Sequence, residues 1–199
     1  EVVRGSDIGF EPVVDGGFQR LGFLAADGSE QIEMTYNFRS PSYNGPDLST
    51  IRRAQIELVV ANDYHIEMSS DRQTNIPEGQ PVFLTMKRAS GNVKDGSNLG
   101  LFRLDYGLPT ANDVYGFTLE AQGVMGFDLY AEFDRSRRYR KYPNRAFTTH
   151  HTSSEEGNAW MVNLSKKSYP WFLFAETYSM DHNYGTTTLI ATPSGDIDY

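Results

Sequence analysis

The sequence predicts an all-β protein: antiparallel sheets built from hairpins, in a β-sandwich or jelly-roll-like arrangement, with part of an outer-membrane β-barrel as the alternative. Three observations carry that prediction. Apolar residues recur at every second position through most of the chain, the period of a strand with one face turned from water. No long stretch carries the 3.6-residue period of a helix. The composition, with 12 Tyr, 12 Phe and 18 Gly in 199 residues, suits strands joined by tight turns.

Taken in order, "FQRLGFLAADGSEQIEMTYNF" predicts a hairpin turning at Asp27-Gly28, a pair suited to the two positive-φ positions of a type I′ turn. That register pairs Ala26 with Ser29, Phe23 with Ile32 and Leu21 with Met34. "AQIELVVANDYHIEMSS" keeps Ile56, Leu58, Val60, Tyr64, Ile66 and Met68 on one parity, either as a hairpin turned near 61–63 or as one long strand. "PVFLTMKR" and "LFRLDYG" follow as strands, separated by the polar connection "NVKDGSNLG".

A second hairpin runs from "VYGFTLEAQ" to "GFDLYAEFD" around a 124–126 loop with Gly126 left-handed. It pairs Phe117 with Phe133, Leu119 with Ala131, Ala121 with Leu129, Thr118 with Glu132 and Glu120 with Tyr130. Slipping the register by two would oppose Glu120 to Asp128, a like-charge pair that costs free energy. The last pair, "NAWMVNLSKK" and "PWFLFAETYSM", turns at 166–169, with Pro170 as the first residue of its strand. Trp171, Phe172, Leu173 and Phe174 are apolar on both parities, which predicts a strand covered on both faces, or one with a lipid-facing side and an aromatic interior. Core packing is the expectation for Trp160 and Trp171.

Composition shifts near residue 112, dividing a β-rich domain or first sheet (1–112) from a second set of hairpins (113–199), within one domain or in two. The chain has no Cys, which excludes disulfides and thiolate metal sites and leaves the redox compartment open. A net charge of −8 argues against general nucleic-acid binding. Beginning at Glu1 with no signal-peptide pattern, the sequence reads as processed or excerpted.

Against that acidic background stands "FDLYAEFDRSRRYRKYPNR", with Arg135, Arg137, Arg138, Arg140, Lys141 and Arg145 and no acid after Asp134. Read as a projecting ribbon, it offers Arg137, Arg138, Tyr139, Arg140, Lys141 and Tyr142 as a ligand-binding set. Arginine forks suit an anionic polysaccharide, a lipopolysaccharide phosphate or an acidic protein surface. The bland reading is a charged, soluble edge that resists pairing.

His150 and His151 are adjacent, so on an extended chain they point apart and chelate poorly. Oxygen-rich turns containing Asp95, Ser97 and Asn98, Asp181 and Asn183, and Asp196 and Asp198 carry calcium's ligand type, though these residues are also the commonest turn formers. Glu120, Asp128, Glu132, Asp134 and Glu176 fall on polar strand faces without any two selected as a glycosidase pair. No catalytic serine elbow, P-loop or dinucleotide motif occurs.

The functional expectation is a non-enzymatic extracellular or cell-envelope protein acting through surface contacts: adhesion, glycan binding, or self-assembly by strand addition into a homo-oligomer. The alternatives are an outer-membrane barrel segment, with strands near 115–134 and 158–180 and a long external loop over 135–157, and a β-sandwich carbohydrate-active enzyme.

Overall fold

The computed structural model describes all residues except 1, 29, 76–77, 92–93, 187–189, 192–196 and 199. The protein is all-β with antiparallel sheets, as the two-residue periodicity predicts. Among the described residues the helical pieces are single 3-10 turns at Gly5–Ile8 and Leu48–Thr50. The chain forms two compact units, Glu1–Ile51 and Arg52–Tyr199; residue 112, where composition shifts, lies inside a strand of the second.

The first unit holds four three-residue strands, β1 (Val13–Asp15), β2 (Phe18–Arg20), β3 (Phe23–Ala25) and β4 (Glu33–Thr35). The pairings are β2 with β3 and β1 with β4. This corrects the register centred on Asp27-Gly28: the hairpin instead turns at Leu21-Gly22, both at positive φ (51° and 82°), and Met34 faces Val14 rather than Leu21. The proposed partner Ser29 lies outside the described residues. Phe10 is buried in this unit, with the rings of Tyr36, Phe38 and Tyr43 centred 5.9, 5.0 and 5.0 Å away.

In the second unit, β5 (Gln55–Val60) and β6 (His65–Met68) are separated at Asn62, whose φ is 63°. They neither pair with each other nor form one strand. β5 joins β8 (Gly100–Asp105), setting Ile56 against Leu104, and β6 joins β7 (Leu84–Arg88). Alternation persists across the break because both strands bury the same parity, while their partners are set by distant sequence.

The rest of this unit is a four-stranded meander of long strands in chain order: β9 (Leu108–Val124), β10 (Phe127–Lys141), β11 (Thr152–Ser168) and β12 (Trp171–Met180). Its first hairpin has the predicted register, with Phe117 opposite Phe133, Leu119 opposite Ala131 and Glu120 opposite Tyr130. The loop differs. Met125 and Gly126, at φ 55° and 79°, make a two-residue turn, and a bulge containing the left-handed Gly123 restores the register. Asp128 holds that bulge by accepting from the Gly123 N–H at 2.8 Å.

At the same end, Ser168 pairs with Trp171 across a turn containing a cis Tyr169–Pro170 peptide, so Pro170 precedes its strand rather than opening it. β12 is not covered on both faces: all ten of its residues are exposed, Trp171 at 79% and Phe172 at 76%. Trp160 is also 40% exposed, contrary to the core expectation for both tryptophans. Short strands β13 (Ile190–Ala191) and β14 (Ile197–Asp198) pair with each other near β9. Among the described residues no barrel closes, and β12 has no partner on its outer side.

Candidate functional site

The meander has two faces and two ends, and strand pairing fixes which residue belongs where. One face carries Tyr115, Phe117, Leu119 and Ala121 from β9, and Leu129, Ala131 and Phe133 from β10. On β11 it continues through Trp160, Val162 and Leu164, and on β12 through Trp171, Leu173 and Ala175. Its aliphatic residues occupy the middle. Phe127 and Trp171 lie near the two turns, and Tyr115, Phe117, Phe133 and Trp160 form a second aromatic row farther up. Phe117 is 66% exposed and Leu119 51%.

The opposite face is polar. Thr118, Glu120, Tyr130, Glu132, Asp134, Asn163, Ser165 and Glu176 share it. Glu120, Glu132, Asp134 and Glu176 are thereby brought to one surface, where Glu132 accepts from the Tyr130 hydroxyl at 2.7 Å and Glu120 from Gln122 at 2.6 Å. Met161 on β11 and Phe172, Phe174, Tyr178 and Met180 on β12 depart from this pattern, making β12 largely apolar on both faces.

Farther from the turns the same strands become charged. The basic run is no projecting ribbon: through Lys141 it lies inside β10, with β9 on one side and β11 on the other. The connection between β10 and β11 is therefore 142–151, shorter than the loop expected over 135–157.

The acids that meet the run come from the neighbouring strands. Arg137 sits opposite Glu156 on β11 and Asp113 on β9. Arg135 and Arg137 both bond the Glu156 carboxylate, and Arg137 Nη1 reaches the Tyr139 hydroxyl at 3.4 Å. Arg140 is buried, 6% exposed, where its Nη2 lies 3.3 Å from Glu155 Oε2 and 3.4 Å from the Thr85 carbonyl, and its Nη1 meets Met86 Sδ.

Arg138 lies opposite Glu155 in the ladder, and its Nη2 donates to the Asn183 carbonyl at 2.9 Å. Lys141 ends β10 in an exposed position. Tyr142 stacks edge-on against Tyr106 at 5.9 Å, and its N–H donates to the His151 carbonyl at 3.1 Å.

This end is also where the other sheets dock. Met86, Leu104 and Leu108 are its buried apolar residues. Arg72 donates to the Pro143 carbonyl at 2.9 Å, and segment 183–185 crosses over Ser136 and Gly157, with the Gly185 N–H donating to Ser136 Oγ at 3.1 Å. Ser136, opposite Gly157, is 1% exposed. Burial pushes the Glu155 carboxyl above its ordinary range, although Arg140, Arg138 and Lys87 pull it down. It also lowers the Arg140 guanidinium, to which Arg138 adds repulsion.

The remaining sequence candidates separate. His150 Nδ1 lies 3.1 Å from the Tyr142 carbonyl, whereas His151 Nε2 approaches Asp105 at 3.7 Å, so the two rings find different neighbours. Among the described residues no three metal-ligating side chains converge. Asp95 accepts from the Ser97 N–H at 2.9 Å, and Asp181 accepts from both nitrogens of Asn158 at 2.9 and 3.1 Å. Asp196 lies outside the described residues.

Sequence reasoning missed the two aromatic rows and the role of Glu155 and Glu156. The β9–β10 register already aligned Tyr115 and Phe117 with Phe133; bringing Trp160 into that row, like the acids, required knowing that β11 lies beside β10. Comparison with protein-family models, curated proteins and solved structures finds no match to this chain.

Proposed function

We propose that the meander is a stretch of wall in an outer-membrane-type β-barrel, a non-enzymatic element of a cell envelope that meets lipid with its apolar face. One observation carries this reading: an aliphatic band, half-buried on the inner strands and exposed at Leu119 and Leu173, bounded by aromatic rows at both ends, on one face of strands whose other face is mainly polar. Membrane barrels have that arrangement, with an apolar band about 25 Å tall between aromatic girdles and a polar interior.

The lengths agree. A membrane-crossing strand needs about 9–11 residues; β12 has ten, and β9, β10 and β11, with 17, 15 and 17, are long enough to cross and continue into the charged end. Tight turns at one end and longer segments at the other suit the same architecture. No helix among the described residues is long and apolar enough to cross a membrane, and the proposal requires none. Four strands are half of about eight, the smallest barrel, so additional strands complete the wall. The contact set Arg137 to Tyr142 supports a surface receptor for anionic polysaccharide less well, because Arg137 and Arg140 already bond acids of their own sheet.

The two tryptophans of the chain mark the two aromatic rows and provide the test. In vesicles containing lipids brominated at defined depths, shallow bromines should quench Trp160 and Trp171 most strongly. A tryptophan introduced by Leu119→Trp should respond to deep bromines, and one introduced by Thr118→Trp should respond weakly. A monomer that stays in buffer without detergent, with no quenching by lipid, overturns the reading.

A further inference from the structure

We propose that the cavity beside Arg138 and Arg140 is a binding site for a small oxyanion of the phosphate type. It lies at the charged end of the meander, away from the apolar band, and does not depend on the membrane reading. Its volume is about 60 Å³ and its walls include Leu84, Pro109 and Ala111 besides the two arginines. A water needs about 10–15 Å³ of such space, so the cavity has room for an ion of several atoms.

The backbone makes this space. Arg140 pairs with Pro109 and Tyr139 with Ala111, leaving Thr110 as an extra residue in β9. Such a bulge interrupts the ladder and re-aims side chains. Pro109 contributes no N–H to repair the interruption.

Charge supplies the reason for an anion. Arg140, Arg138 and Lys87 all act on Glu155, so three cations share this carboxylate. Arg140 is the one in contact with it, at 3.3 Å. The Nε–H of Arg138 is shielded from solvent and has no hydrogen-bond partner among the described residues. A buried donor left unsatisfied costs free energy, and an oxyanion accepting from Arg138 gives it a partner while meeting the cations gathered around Glu155. Guanidinium forks bind phosphate oxygens with directed, charge-assisted bonds.

The full chain is titrated with inorganic phosphate and, separately, with glycerol phosphate, against sodium chloride of matched ionic strength, while its thermal unfolding is followed. Phosphate should give a saturable rise in the midpoint that chloride does not. A rise with inorganic phosphate alone identifies a free ion; a rise with both identifies a tethered phosphate group. Arg138→Gln should weaken the response about tenfold or more, the worth of one charge-assisted donor. Arg138→Lys, which keeps the charge and loses the fork, should fall between, and provides the reading if the glutamine variant does not fold. Arg135→Gln, on the other face, should leave the response intact. No phosphate-specific rise in the unaltered chain, or a full rise in both Arg138 variants, overturns the proposal.

Discussion

The two ends of the meander are made of the same four strands and differ in what the strands do with their side chains. At the turn end the faces diverge in polarity, and much of the apolar one is exposed: Phe117, Leu119 and Trp171 are 66, 51 and 79% exposed. At the far end both faces carry charge, and the second unit packs its core there, around Met86, Leu104 and Leu108. A water-soluble sheet would bury its apolar half and expose its charged half. This one leaves much of its apolar half exposed and packs its charged half against the rest of the unit, the contrast on which the membrane proposal rests.

The largest way to break this contrast is at the charged end. Glu155→Gln leaves Arg140 buried beside Arg138 without its carboxylate, and breaking a buried pair costs about 3–5 kcal/mol; the urea midpoint should fall accordingly. The same variant should bind phosphate more tightly, because the site becomes more positive. If its stability is unchanged, Arg140 is not held as described.

At the turn end, the membrane proposal sets adjacent positions on opposite faces against lipid and water. Leu119→Lys should cost about 2–4 kcal/mol for folding in bilayers, the penalty for a cation on a lipid-facing strand, and Thr118→Lys far less. Equal costs at the two positions would remove the distinction between the faces. Gly157→Ala comes next. Its Cβ would fall 2.3 Å from the Tyr184 nitrogen, and the displacement of segment 183–185 should cost about 1–3 kcal/mol as overpacking, read by thermal unfolding.

Away from the meander, Arg103→Ala removes an exposed pair in which Nε lies 2.6 Å from Glu57, and should change stability by at most about 1 kcal/mol. The smallest effect is a pH slope. Burial, with help from Lys87 and Arg88, lowers His182 below its ordinary 6.5. The unfolded chain therefore takes up the proton first, and stability present above pH 6.5 is lost as pH falls through that value toward the folded pKa. His182→Gln should flatten this part of the profile.

Local alternation revealed most of the second unit. The β9–β10 register follows from apolar pairing and from avoidance of a Glu120–Asp128 contact, both readable within 20 or so residues. Non-local pairing was illegible. Asp27-Gly28 has the stronger local turn signal, yet the hairpin turns at Leu21-Gly22, where a leucine accepts positive φ. β5 and β6 show unbroken alternation but take their partners from β8 and β7. The basic run resembled a solvated tip because Glu155 and Glu156 are remote in sequence, and β12 resembled a buried strand because its apolar composition says nothing about what covers it. The oxyanion cavity left no motif, since it arises from a one-residue bulge.

Because β9 starts and β12 finishes at the charged end, both hairpins point their tips the same way. Those tips are Met125-Gly126 and Tyr169-Pro170, two short connections without a formal charge. During insertion from one side of a bilayer, they would be the leading points, so the passage carries no hydrophilic domain across the oil. On the proposed membrane reading the arginine-bearing sheets would stay behind on the side of entry, a stop that sets how deep the hairpins travel.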